Sequence, residues 1–165
     1  MAPPNTPFVY LLWHLYLEPI FALGGTYHLH WAPAEYFTFM PSTSAYHPDS
    51  QIAYDQLASA YLFFAFTEGV LMRVVKDRKT WWWIVLGLIL CDLGHCYAAW
   101  CEMGTRGVLD LGSWSQKDVV TNSLNVLPVL VRAAYLVGLG VPGEGAESRK
   151  EIEGRKAPKK ASRKA

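Results

Sequence analysis

The stretch Trp81-Trp82-Trp83-Ile84-Val85-Leu86-Gly87-Leu88-Ile89-Leu90 decides the fold class. It carries no charge, and apart from its indoles no face of a helix drawn through it is polar. A helix buried on one side alone shows a charged stripe at helical spacing. No such stripe is present, so the segment reads as a membrane span running to about Cys101. About 20 residues suffice to cross a hydrocarbon layer ~30 Å thick. Three further segments have that length: about Phe8 to Trp31, about Tyr54 to Val75, and about Val119 to Val141. The expected fold is therefore all-α, an integral membrane four-helix bundle over residues 1–141.

The mean hydropathy of +0.11 hides this pattern. Residues 142–165 hold eight of the fifteen Lys and Arg and a single large aliphatic residue, Ile152. That composition has almost nothing to bury, so the segment reads as a disordered basic tail. Pro142-Gly143 is expected to end the fourth helix, because proline cannot continue it. A net charge of +1 and only three cysteines argue against a nucleic-acid partner and against a disulfide-built secreted domain. The N-terminus lacks a basic run, and Glu18-Pro19 interrupts its apolar stretch, so a cleaved signal peptide is not expected.

The loops set an orientation. Arg73, Lys76, Arg78, Lys79 and the eight basic tail residues fall on one side of four spans. The opposite loops hold only Arg106 and Lys117. The positive-inside rule then places both termini in the cytoplasm, with Trp81 to Trp83 at the cytoplasmic interface. The Pro- and Tyr-rich loop from Ala32 to Ala53 is expected to cap the other end. With no other targeting signal, the endoplasmic reticulum membrane is the default location.

The chemistry lies within the membrane layer. An ionisable side chain in a span costs roughly 2.5–3.5 kcal/mol on insertion scales and faces the bundle interior or a cavity. Glu18, Glu68, Asp92 with His95, and Arg132 give each span such a group. At 1.5 Å per residue, Glu18, Asp92 and Arg132 lie roughly 15, 16 and 14 Å from the cytoplasmic end, and Glu68 roughly 9 Å. Four charges at one level predict a shared site. Asp92 and His95 are three apart and His14 and Glu18 four apart, so each pair shares a helix face. Asn122, Asn125 and Arg132 form a polar stripe on the fourth span.

Plainer roles are available for each group. Arg132 could be a structural counter-ion, and Glu68 could pair with Arg73 near the interface. His14 and His28 could be core or interfacial histidines, and Asn122 and Asn125 could be interhelical glue. One Arg does not account for three carboxylates, however. A protonated carboxylic acid beside an ionised carboxylate is a general acid/base pair. Nothing matches a zinc spacing or a phosphate loop, so neither a metal nor a cofactor is expected. Cys91, Cys96 and Cys101 read as apolar fillers.

Tyr16-Leu17-Glu18-Pro19-Ile20 with Ala22 and Gly25 resembles the opening of a family of small fungal four-span membrane proteins of mostly unassigned function. Gln56-Leu57-Ala58, Tyr61-Leu62 and Glu68 are similar to its second span. Asp92-Leu93-Gly94-His95-Cys96-Tyr97 resembles its third, and Arg132 to Gly140 its fourth. Some members act in fungal polyketide pathways making polyenes of the aurovertin and citreoviridin kind, where they are regarded as epoxide hydrolases. The resemblance implies a hydrophobic polyene epoxide as substrate, a flavin-dependent epoxidase as a pathway partner, and Glu18, Glu68, Asp92, His95 and Arg132 as site residues. Opening an epoxide needs an acid for the oxirane oxygen and a base for water or a substrate hydroxyl. The assignment is Asp92 as acid or base, polarised by His95, with Glu68 or Glu18 as partner and Arg132 holding one carboxylate ionised. Tyr61, Tyr97, Asn122, Asn125 and His14 would contact substrate arriving from the bilayer. Two alternatives stand beside this one: a membrane terpene cyclase using Tyr61, Phe63, Phe64, Phe66 and Tyr97, and a non-catalytic lipid- or sterol-binding protein.

Overall fold

The computed structural model describes residues 3–141, and the basic tail at 142–165 lies outside them. Among the described residues there are helices and turns and no strand. Four helices are long and apolar enough to cross a membrane: Phe8–Trp31, Pro48–Val74, Arg78–Leu109 and Gln116–Leu136. The first two pack along each other, as do the last two, and the backbones of the two pairs stay further apart. Most large apolar side chains of these helices face outward, as lipid contact requires.

Three local departures from a regular helix shape the first pair. Pro19 has no N–H to offer the carbonyl of Leu15. The Arg73 guanidinium, stacked 4.4 Å over the Tyr16 ring, donates to that carbonyl and to Gly69 O. The first helix widens into a π turn over Trp13–Leu17, and the second does so over Thr67–Leu71. These turns carry His14 and Glu68, the first ends beside Glu18, and π turns often lie at functional sites. Two glycines allow the close approach. A Cβ on Gly25 would stand 2.6 Å from the Tyr61 ring, and one on Gly69 would stand 3.3 Å from Pro19.

The third helix starts at an N-cap in which Asp77 accepts from the Thr80 amide at 2.7 Å and from its hydroxyl at 2.6 Å. Those bonds hold the Asp77 carboxyl below the usual carboxylate range. The helix runs past Cys101 to Leu109, with a break at Gly104, where φ is +70°. The fourth helix opens with a Ser115–Asp118 capping box. It ends at Leu136, short of the expected Val141. Gly138, at φ +78°, adopts the left-handed conformation, and its amide bonds Tyr135 O while that of Leu139 bonds Ala134 O. This glycine stop closes the helix before Pro142-Gly143 is reached.

Within the tryptophan triplet only Trp83 is exposed. Trp81 is fully buried and its indole donates to Met72 O and Val75 O, both at 3.0 Å. Trp82 donates to Leu136 O at 3.1 Å. Consecutive helical residues point about 100° apart, so one indole seals the end of the second helix and one binds the fourth. Trp81, Met72, Tyr10, Leu15, Val85, Leu88 and Tyr135 form the core at this end of the bundle.

Candidate functional site

Directly beneath that core lies a charge cluster contributed by all four helices. Arg132 is its centre. One guanidinium nitrogen lies 2.6 Å from Glu18 Oε1 and 3.0 Å from Glu68 Oε1, and another bonds Asp92 Oδ2. His14 Nδ1 lies 3.0 Å from Glu68 Oε1 and 3.7 Å from Glu18 Oε2. Glu68, His14 and Arg132 are buried almost completely, while Glu18 and Asp92 keep some side-chain exposure. The structure thus brings together Glu18, Glu68, Asp92, Arg132 and His14.

Several oxygens and nitrogens of the cluster lack a hydrogen bond. Glu18 Oε2, Glu68 Oε2, His14 Nε2 and Arg132 Nε are buried with no hydrogen-bond partner among the described residues. Three carboxylates face one guanidinium, so full ionisation would leave two uncompensated negative charges in a low-dielectric layer. Such charges are expensive unless paired or neutralised.

The cluster forms one end of a cavity of about 750 Å³ between the two helix pairs. Glu18, Glu68, Asp92, Arg132, His95, Tyr61 and Asn125 line it. Arg132 to Val120 marks its length along the fourth helix, which at 1.5 Å per residue is about 18 Å. Its wall is otherwise mostly apolar, with Leu17, Phe21, Phe64, Leu88 and Leu127 among the contributors.

Other expectations change. His95 does not polarise Asp92. Its Nδ1 lies 3.0 Å from Cys91 O and its Nε2 lies 3.4 Å from the Tyr61 hydroxyl, on which the ring also stacks. One helical turn back, the Cys91 carbonyl takes the imidazole that sequence spacing assigned to Asp92. Tyr97 is exposed and packs edge-on against Trp100, away from the cavity. Asn122 is buried and donates to Asp118 O at 2.8 Å, and it is not part of the lining. His14 sits behind the carboxylates and touches Glu68, not the cavity. Glu68 pairs with Arg132, and Arg73 is committed to backbone carbonyls. Phe63 and Phe66 face outward, which leaves Tyr61 and Phe64 of the aromatic set a terpene cyclase would use.

The sequence reading missed Tyr36. Its hydroxyl lies 2.8 Å from that of Tyr61, extending the chain of hydroxyls that ends on His95. Burial, then Tyr61 beside it, push the Tyr36 hydroxyl well above its ordinary range, so it stays neutral, and either hydroxyl of the pair can donate. No spacing rule connects a loop tyrosine to a span, so nothing in the sequence signalled it.

His14, Glu18 and Glu68 offer three ligand atoms within 4.8 Å of one another, a metal-like set. Arg132 shares both carboxylates at hydrogen-bond distance. A divalent ion there would sit against a guanidinium, so the donor set fits a cation poorly.

The fold and the cluster define a four-helix membrane protein with a charged centre at the end of an apolar cavity. The chain belongs to the family described as Domain of unknown function (DUF7704), which matches residues 4–142. No curated protein and no solved structure matches it.

Proposed function

We propose that the protein is a membrane-embedded epoxide hydrolase or cyclase acting on a hydrophobic polyene, in the endoplasmic reticulum of a fungal secondary-metabolite pathway. A flavin-dependent epoxidase would supply the substrate. The observation that carries the reading is the ratio at the cavity's end: three carboxyl groups on one guanidinium, with Glu18 Oε2 and Glu68 Oε2 lacking a hydrogen bond among the described residues. Such a cluster holds a proton on one carboxyl while Arg132 keeps another ionised.

The chemistry balances within the cluster. Glu18 or Glu68 gives its proton to the oxirane oxygen as a C–O bond breaks. Asp92, held by Arg132, takes the proton of the attacking hydroxyl as the new C–O bond forms. Water as nucleophile gives a diol, and a substrate hydroxyl gives a cyclic ether. Return of the proton from Asp92 to the acid carboxyl, its neighbour on the Arg132 guanidinium, resets the pair, and His14, behind Glu68, positions that carboxyl.

The test is mass spectrometry on microsomes containing the protein, fed an epoxide-bearing polyene in ¹⁸O-water. A protein-dependent diol carrying ¹⁸O, or an unlabelled isomer of unchanged mass, is expected. Asp92→Asn should lower turnover by about 100-fold or more. An epoxide that persists equally with and without protein, across several substrates, overturns the reading. The second reading, a non-catalytic lipid- or sterol-binding protein, is favoured by the closed set of bonds from Arg132 to all three acids.

A further inference from the structure

The cavity is covered at both ends of the bundle. At the charged end the Trp81, Tyr10 and Tyr135 core lies over the cluster. At the opposite end the loop after the first helix crosses the cavity, and Tyr36, Phe39 and Met40 form part of its lining. This strap is tied to the fourth helix. Asp118 accepts from the Ser42 amide at 2.8 Å and from its hydroxyl at 2.9 Å, and Thr121 donates to Phe39 O at 2.6 Å.

The side walls differ. Toward the second and third helices the cavity is closed by Leu88, 5% exposed, and the half-buried Phe64 and Cys91. Toward the first and fourth helices its lining residues are also outer-surface residues: Ile20 is 63% exposed, Phe21 55%, and Leu124 and Leu127 each 47%. The first and fourth helices belong to different packed pairs, whose backbones stay apart. Each also carries a proline beside this seam. Pro19 precedes Ile20, and Pro128 follows Leu127 and denies Leu124 O its helical bond.

We propose that the seam between the first and fourth helices, framed by Ile20, Phe21, Leu124 and Leu127, is a lateral portal through which a long apolar molecule passes from the bilayer to the charged cluster. The occupant is a linear, lipid-dissolved chain with an oxygenated group near one end. The apolar wall receives the chain, and the carboxyl and guanidinium groups receive the oxygen. Such a molecule needs no aqueous route. The inference concerns access and holds for a catalyst or a binding protein alike.

Cys91 lines the cavity on the wall opposite the portal and serves as a reporter. The full chain with Cys96→Ala and Cys101→Ala is placed in liposomes. It is exposed either to N-dodecylmaleimide dissolved in the bilayer or to a charged, impermeant methanethiosulfonate present on both sides of the membrane. The lipid-dissolved reagent is expected to modify Cys91 at least tenfold faster. Ile20→Trp with Leu127→Trp, at lipid-facing positions, should slow that modification about tenfold, and Ile20→Ala with Leu127→Ala should speed it. Equal or faster reaction with the impermeant reagent overturns the proposal, as does a rate indifferent to both pairs of variants. Modification by neither reagent, with the thiol titrating normally after denaturation, overturns it as well. Because thiol modification is read without turnover, portal failure and failure of the epoxide chemistry give separate results.

Discussion

The two ends of the cavity are held by different physics. At the charged end, four helices converge on buried ion pairs around Arg132, and an aromatic core closes over them. At the other end, a loop is pinned by a few hydrogen bonds to Asp118 and Thr121. Buried charges resist being separated, because removing one partner strands the others. Hydrogen bonds to a loop are worth roughly 1 kcal/mol each and can be lost one at a time. The charged end should therefore behave as a fixed anchor and the strap as the yielding part.

The harshest way to break that contrast is Arg132→Met. It leaves three acids facing each other with no cation, and a loss of about 3–5 kcal/mol is expected. Thermal unfolding in detergent would read it, and a midpoint within error of the wild type would show the anchor to be dispensable. Gly25→Ala tests the seam between the first two helices, midway between the ends. Its Cβ would fall 2.6 Å from the Tyr61 ring, so a cost of about 1–3 kcal/mol is expected from overpacking. The Tyr61–His95 stack should loosen with it, visible as a changed imidazole resonance. The mildest change is Ser42→Ala, which removes a hydroxyl bond to Asp118 but keeps the amide one. Stability should fall by about 1 kcal/mol or less, while hydrogen exchange over residues 33–50 rises. If global stability falls as far as in Arg132→Met, the two ends are not distinct.

Much of this contrast was legible in the chain. Span length and the absence of a charged stripe gave the four helices, and helical rise placed Glu18, Asp92 and Arg132 at one depth. Both are regular, local properties. What escaped was conditional on tertiary contact. The His95 ring turns to Tyr61 of the second helix, stacks on it, and bonds Cys91 O with its other nitrogen. Tyr97 and Asn122 share the right segments but the wrong azimuth, since the face a helix buries is settled by its neighbours. His14 was placed against substrate because a face was known and its depth behind Glu68 was not. The end of the fourth helix was misplaced because Pro142 is the more conspicuous breaker, while Gly138 stops the chain earlier by its backbone sign.

Arg132 also has a place in time. The ribosome makes the acid-bearing helices first and the guanidinium that joins them last, forty residues after Asp92. Until the fourth helix is released, a nascent chain carries three membrane-embedded acids without the guanidinium that pairs them. The bundle is therefore assembled by its final segment, and chains cut short of it would present unmatched acids within the bilayer to the cell's membrane quality-control proteases.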